Sequence, residues 1–275
     1  MKNKKEVEAF WTRGDIHSRI HSAMTKANLI DKKLEIEELF PIDQYHARGI
    51  AATIDLGKRM PIKKHQCILD IGCGLGGPAR YYAKEFECII TGIDITPSFV
   101  EIGNEFNKIT SMSNKVELKV GDGEILDFKS EIFDGAYSQH VTMNVSDRKK
   151  FFSEAFRVLK KGSFFAFTEH GLGKEGNPIF PLPWADTEEM SYLLPPEQTI
   201  LLLKEIGFSN IEIIETGDKY ISGYKKLTNP LPKKENPILG IHVIGGESMK
   251  ERSINSMKSI NENRTLPFEV VCTKE

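Results

Sequence analysis

The chain has 275 residues, 40% of them hydrophobic and 28% charged, and a net charge of −2 at pH 7. One large domain, or a domain with a cap, buries a substantial core at this length. The near-neutral balance gives no electrostatic reason to bind nucleic acid or an anionic membrane, and no run approaches the ~20 apolar residues of a membrane span.

Residues 1–14 are polar and charged, without the apolar stretch of a secretory signal, so a cytoplasmic location is expected. Residues 1–60 read as an N-terminal helical cap. Ile16, Ile20, Met24 and Leu29 recur at roughly helical spacing, and Leu34, Ile36, Leu39 and Phe40 do so more loosely. Asp43-Gln-Tyr-His-Ala-Arg-Gly49 then leads into the apolar helix start Ile50-Ala-Ala-Thr-Ile-Asp-Leu56. Tyr45, His46 and Arg48 therefore stand at a helix beginning, facing either a substrate cleft or solvent.

Residues 61–275 read as the core. Strands at 67–71, 88–94, 116–120, 133–138 and 163–169 alternate with helices at 78–85, 97–111 and 147–159, the pattern of a parallel sheet covered on both faces. The helix at 147–159 is expected to close with Leu159-Lys-Lys-Gly162. A loop at 171–194 holds Trp184, a helix at 195–206 ends at Gly207, and 211–215 and 268–272 read as strands six and seven. Between these two strands, about 218–266 form a cap-like insertion, with a proline-rich mobile stretch at 229–237 and a helix at 247–263. Right-handed crossovers throughout would open every strand C-terminus onto one edge, where ligands bind. Cys67, Cys73, Cys88 and Cys272 lack C-x-x-C spacing and read as plain thiols, so no metal site is expected.

The chemistry concentrates at Gln66-Cys-Ile-Leu-Asp-Ile-Gly-Cys-Gly-Leu-Gly-Gly-Pro-Ala79, where a buried-strand pattern meets a glycine turn and a helix start. Gly72, Gly74, Gly76 and Gly77 remove side chains where the backbone turns and a ligand comes close, and Pro78 suits the first helical turn. Gly72, Gly74 and Gly77 fit G-x-G-x-x-G, with Asp94 20 residues beyond Gly74 at a strand end. Taken alone, this suits a nicotinamide dinucleotide and an adenosyl cofactor equally, since both place a ribose by that carboxylate. Asp70, two residues before the first glycine, sits poorly beside a pyrophosphate and well beside an ammonium; its alternative role is to accept from loop amides. Gly121-Asp122-Gly123 offers a carboxylate to an adenine amino group, or a turn cap.

With Phe133-Asp134 and Arg157-Val-Leu-Lys-Lys-Gly162, these motifs make residues 66–169 resemble the class I S-adenosylmethionine-dependent methyltransferases. The resemblance implies an α/β fold with a seven-stranded, mostly parallel Rossmann-like sheet and S-adenosylmethionine as cofactor. It places Gly72, Gly74 and Gly76 under the methionine and ribose portion, Asp94 on the ribose hydroxyls, and Asp122 with Gly123 at the adenine. Gln139 would flank the methionine portion, while Ile95 packs on the adenine or belongs to the core. The cap and the Tyr45-His46 pair ahead of Arg48 look like the sarcosine/dimethylglycine-type enzymes and their bacterial relatives. Related phosphoethanolamine methyltransferases and cyclopropane synthases carry Ser-x-Asp, then His, then Asp after the fourth strand. Here Asn144 stands where that histidine would fall, and His140 replaces the acid.

His140 is thus the candidate base, or else a histidine hydrogen-bonded to the cap. Glu169 could hold a cationic acceptor, with His170 on the same edge and Trp184 offering a ring face or packing its loop. The expected acceptor is a small molecule, such as an amine, enclosed by the cap, 171–194 and 236–247; a homodimer is the expected assembly. The competing functions are an NAD(P)-dependent oxidoreductase and a cofactor-binding module without turnover.

Overall fold

The computed structural model describes residues 2–30, 32–46, 48–228 and 237–275. The expected mobile stretch lies outside them except for Pro237. The cap comprises α1 (Lys2–Thr12), α2 (Ile16–Lys26), α3 (Phe40–Asp43) and α4 (Ile50–Gly57). Asp15 caps α2 by accepting from the Ser18 amide, which satisfies one of the helix's orphan donors. The buried stripe of α2, Ile16, Ile20, Ala23 and Met24, is the one its spacing predicts.

The core follows as β1 (Cys67–Ile71), α5 (Gly77–Glu85), β2 (Ile89–Asp94), α6 (Pro97–Ile109), β3 (Val116–Val120), β4 (Phe133–Gln139), α7 (Arg148–Val158), β5 (Leu159–Leu172), α8 (Pro196–Ile206) and β6 (Phe208–Glu215). The insertion contributes α9 (Gly217–Thr228), α10 (Ile241–Gly245) and α11 (Met249–Asn261) before β7 (Thr265–Lys274). The seven strands form one sheet in the order β3-β2-β1-β4-β5-β7-β6. Strand alternation sends Leu69 and Ile71 into one core layer with Phe151, Phe152 and Phe165. It sends Ile68 into the other, with Tyr82, Ile90 and Tyr137.

Three expectations are corrected. β7 runs antiparallel to both β5 and β6, so the strand C-termini do not all share an edge, and the start of β7 arrives there instead. Leu159-Lys-Lys-Gly162 does not close a helix: β5 begins at Leu159, which pairs with Phe133 across a register shift, and Lys160 reaches the Asp134 carboxylate at 2.6 Å. Finally, α9 fills the start of the insertion, where no helix was expected; its Tyr220 and Tyr224, one turn apart, are both buried.

The cap is fastened to the core by fully buried Arg80. Its guanidinium donates to Asp43 of the cap at 3.0 Å, to the Leu75 carbonyl in the glycine turn, and to the Gly103 carbonyl and Asn107 side chain on α6 at 3.1 and 2.7 Å. Cap residues Ile20, Leu39 and Ile42 pack with Leu75 and with Phe99, Ile102 and Phe106 of α6. Charge and apolar burial thus hold the cap over the turn.

Candidate functional site

β1 lies between β2 and β4, so the chain order reverses at its C-terminal end, where open α/β sheets bind ligands. A continuous cavity runs from this point beneath the cap and against the insertion. The turn after β1 is folded back on β2: the Gly72 and Cys73 amides donate to the Ile93 carbonyl at 2.8 and 2.9 Å. Gly74, at φ 51°, faces open space where a Cβ would stand, so bare backbone meets the cavity there.

Three carboxylates are spaced along this end. Asp94 accepts from the Gly74 amide at 2.8 Å and the Thr96 amide at 2.9 Å. Burial raises its pKa, against the pull of those amides. Asp70 accepts from the Tyr137 hydroxyl at 2.8 Å; burial first, and the nearby charge of Asp94, push its carboxyl up to about 8. Asp122 accepts from the Glu124 amide at 2.9 Å in the turn after β3. Ile95 and Gly123 also line this part. Gln139 stands at the far end of β4 with its Nε2 buried and unpartnered. Bare backbone at Gly74, three separated acids and an orphaned amide fit an elongated ligand carrying an ammonium, a ribose and an adenine better than a pyrophosphate.

The other half of the cavity is built around His140, held at φ 57° just past β4, with its amide donating to the Thr168 carbonyl at 2.9 Å. Its Nε2 makes a short hydrogen bond with the Tyr220 hydroxyl. The rings of His46 and His170 lie 5.7 and 5.5 Å from its own. Burial pushes both flanking imidazoles down to about 3, and burial with its neighbours holds His140 well below the ordinary histidine range. All three are neutral near pH 7. Trp184 lies 4.6 Å from His170 ring to ring and donates its Nε1–H to Ser191. Tyr45 packs edge-on to Trp11 at 5.5 Å.

Asn144 lines the cavity while its Nδ2 donates to the Trp184 and Met190 carbonyls at 2.9 and 3.2 Å, lacing the 171–194 loop to the sheet edge. Three residues singled out in the sequence stand off the cavity. Glu169 is fully buried and engaged by Arg148, Thr142 and Thr199, so it faces α7 and α8 and is closed to an acceptor. Arg48 pairs with Asp55 and Glu269 and lies 5.6 Å over the Tyr220 ring; it lines a neighbouring cleft rather than this cavity. Gly76 caps α5 at φ 74°, where a Cβ would press on Leu118 at 2.8 Å, so its need for glycine is local packing.

Sequence reasoning missed Tyr220, Tyr224, Trp11, Phe99, Met249 and Ile244, all of which line the cavity. The signal available was the four-residue spacing of the two tyrosines, which marks one helix face. On the outer surface, exposed His17, Glu101 and Glu105 come close enough to share an ion; none of them lines the cavity.

A family model described as a methyltransferase domain matches residues 69–167. Ajmaline N-methyltransferase from Rauvolfia serpentina is 30% identical over 172 residues, 62% of this chain and 53% of that enzyme. The chain therefore spans about half the length of this curated relative. A sarcosine dimethylglycine methyltransferase structure from Galdieria sulphuraria, so described provisionally, matches with a TM-score of 0.65 at 20% identity over 82% of each chain. The geranyl diphosphate C-methyltransferase of Streptomyces coelicolor, crystallised with S-adenosylhomocysteine, matches with a TM-score of 0.72 at 12% identity, covering 100% of this chain and 99% of that one. These structural likenesses carry the fold.

Proposed function

We propose, for a chain whose residues 69–167 match a methyltransferase domain, that it is a class I S-adenosylmethionine-dependent enzyme that methylates a small-molecule acceptor enclosed between the cap and the insertion. The observation that carries this is the continuity of one cavity from the acids Asp70, Asp94 and Asp122 to the histidine chamber around His140. A nicotinamide-dependent reaction is disfavoured by Asp70, which would face a pyrophosphate. Cytoplasmic location, a homodimer, action without nucleic acid, and the division into a cap at 1–60 and a core at 61–275 belong to the same reading. Among the described residues, no helix is long and apolar enough to cross a membrane.

When bound, S-adenosylmethionine supplies a sulfonium-activated methyl group. In this reading Asp70 holds the ammonium, Asp94 accepts from the ribose hydroxyls, Asp122 and Gly123 meet the adenine, and Gln139 Nε2 donates at the methionine end. The cap and Trp184 exclude water and orient the acceptor, an effect worth up to about 7–11 kcal/mol in favourable systems. The acceptor would donate its O–H or N–H to the Tyr220 oxygen while the Tyr220 hydroxyl donates to His140 Nε2; as the acceptor's proton passes to Tyr220, the tyrosine's own proton passes to His140, which ends as the imidazolium.

Calorimetry tests the cofactor class: micromolar binding of S-adenosylhomocysteine without NADH binding is expected, and the reverse would end the proposal. Transfer of a labelled methyl group to a small acceptor separates an enzyme from a binding module.

Two predictions follow from the acids. Asp94→Ala removes a charged acceptor from two ligand hydroxyls and from the Gly74 and Thr96 amides. Hydrogen bonds to a charged group are worth about 1.5–3 kcal/mol each, so S-adenosylhomocysteine affinity should fall by about 100-fold or more; a loss under fivefold would take Asp94 out of the ribose site. Below about pH 8 the free protein holds Asp70 protonated, and gripping an ammonium requires that proton to leave. Affinity should therefore weaken as pH falls, approaching about tenfold per unit, with proton release visible as heat that varies with buffer. Asp70→Asn should flatten the profile, and a wild-type affinity level from pH 6.5 to 8.5 would contradict the assignment.

A further inference from the structure

Among the described residues, the acceptor half of the cavity holds no ionised side chain. Among the described residues, none that lines the cavity is a lysine or an arginine. Its carboxylates are committed elsewhere: Asp43 faces Arg80, Asp70 and Asp94 hold the turn, and Asp122 and Glu124 stand together after β3. Glu169, the acid on the adjoining strand end, is sealed against Arg148. The walls around His140 are neutral imidazoles, the rings of Trp184 and Tyr45, and the thioethers of Met143 and Met249. Within them, His46 Nδ1 and His170 Nδ1 are buried without a hydrogen-bond partner.

These facts constrain the ligand. Burying an anion without a side-chain cation is costly, with no sulfonium to offset it once S-adenosylhomocysteine occupies the cofactor end, and phosphate or carboxylate recognition ordinarily uses arginine or lysine. Burying a cation without a carboxylate carries the same penalty. Neutral hydrogen-bonding groups meet no such penalty, and they satisfy the orphaned nitrogens. We propose that the acceptor is an uncharged, largely apolar molecule presenting one dissociable O–H or N–H to the His140–Tyr220 pair, and not a carboxylate, phosphate or diphosphate. This rests on the methyltransferase reading and names its substrate class. It separates the chain from the geranyl diphosphate enzyme whose fold it shares.

The test uses matched probes of one shape, 1-naphthol, 1-naphthoate and 1-naphthyl phosphate, titrated into the full chain saturated with S-adenosylhomocysteine. Naphthol is expected to bind at least tenfold more tightly than either anion, and Trp184→Ala to weaken it about tenfold with S-adenosylhomocysteine affinity retained. Equal or tighter binding of an anion, no naphthol binding, or naphthol binding indifferent to Trp184→Ala would overturn the acceptor assignment alone. Failure of S-adenosylhomocysteine to bind would overturn the proposed function, and the acceptor class with it.

Discussion

Arg80→Met should destabilise the protein by about 3–5 kcal/mol, the usual effect of stranding a buried partner charge. At about 2 °C per kcal/mol for a chain of 275 residues, the melting temperature should drop by about 6–10 °C. The cause is specific: Asp43 would keep its buried carboxylate without its cation, and the Leu75 and Gly103 carbonyls would lose donors. Because Leu75 belongs to the glycine turn, S-adenosylhomocysteine affinity should weaken as well. Adding Asp43→Leu should recover most of the stability, since a buried ion pair replaced whole by apolar groups is often neutral. A loss under 1 kcal/mol would show that apolar packing alone secures the cap, and no recovery in the double variant would move the effect from the Asp43 pair to the Leu75, Gly103 and Asn107 bonds.

His140→Asn should lower turnover by about 10²–10⁴-fold, the range of general acid–base catalysis, while S-adenosylhomocysteine affinity stays within about threefold. Asparagine is the informative replacement because it tolerates the positive φ at this position and cannot act as a base. Tyr220→Phe keeps the imidazole and breaks only the shared proton position, so it should fall between wild type and His140→Asn. Turnover within threefold of wild type in His140→Asn would assign His140 to positioning. Loss of cofactor binding together with turnover would make its role structural.

The cofactor end was readable in the sequence because its determinants are local. A strand, a glycine turn and a helix start are contiguous at 66–79, and Asp94 ends β2 while Asp122 follows β3, strands whose ends the topology brings to the same edge. The acceptor end was much less readable. His140 and Trp184 stood out as chemistry-bearing residues, but Tyr220 reaches His140 from 80 residues away on a helix whose polar sequence gives a weak start signal. Glu169 was misjudged for the converse reason. Its place at a strand end is legible, whereas the side on which Arg148, Thr142 and Thr199 converge depends on how α7 and α8 pack. Arg80 drew no notice in the sequence and becomes the cap's anchor only because Asp43 folds over it. β7 carries the same alternating pattern in either direction, so its antiparallel course was not encoded in any local signal.

That course also sets an order of manufacture. β6 touches the sheet only through β7, so on the ribosome it has no strand partner until residues 265–274 have emerged. The helix bearing Tyr220 lies between the two strands in the chain. The glycine turn, complete in sequence by residue 94, can therefore form long before the chamber around His140 closes.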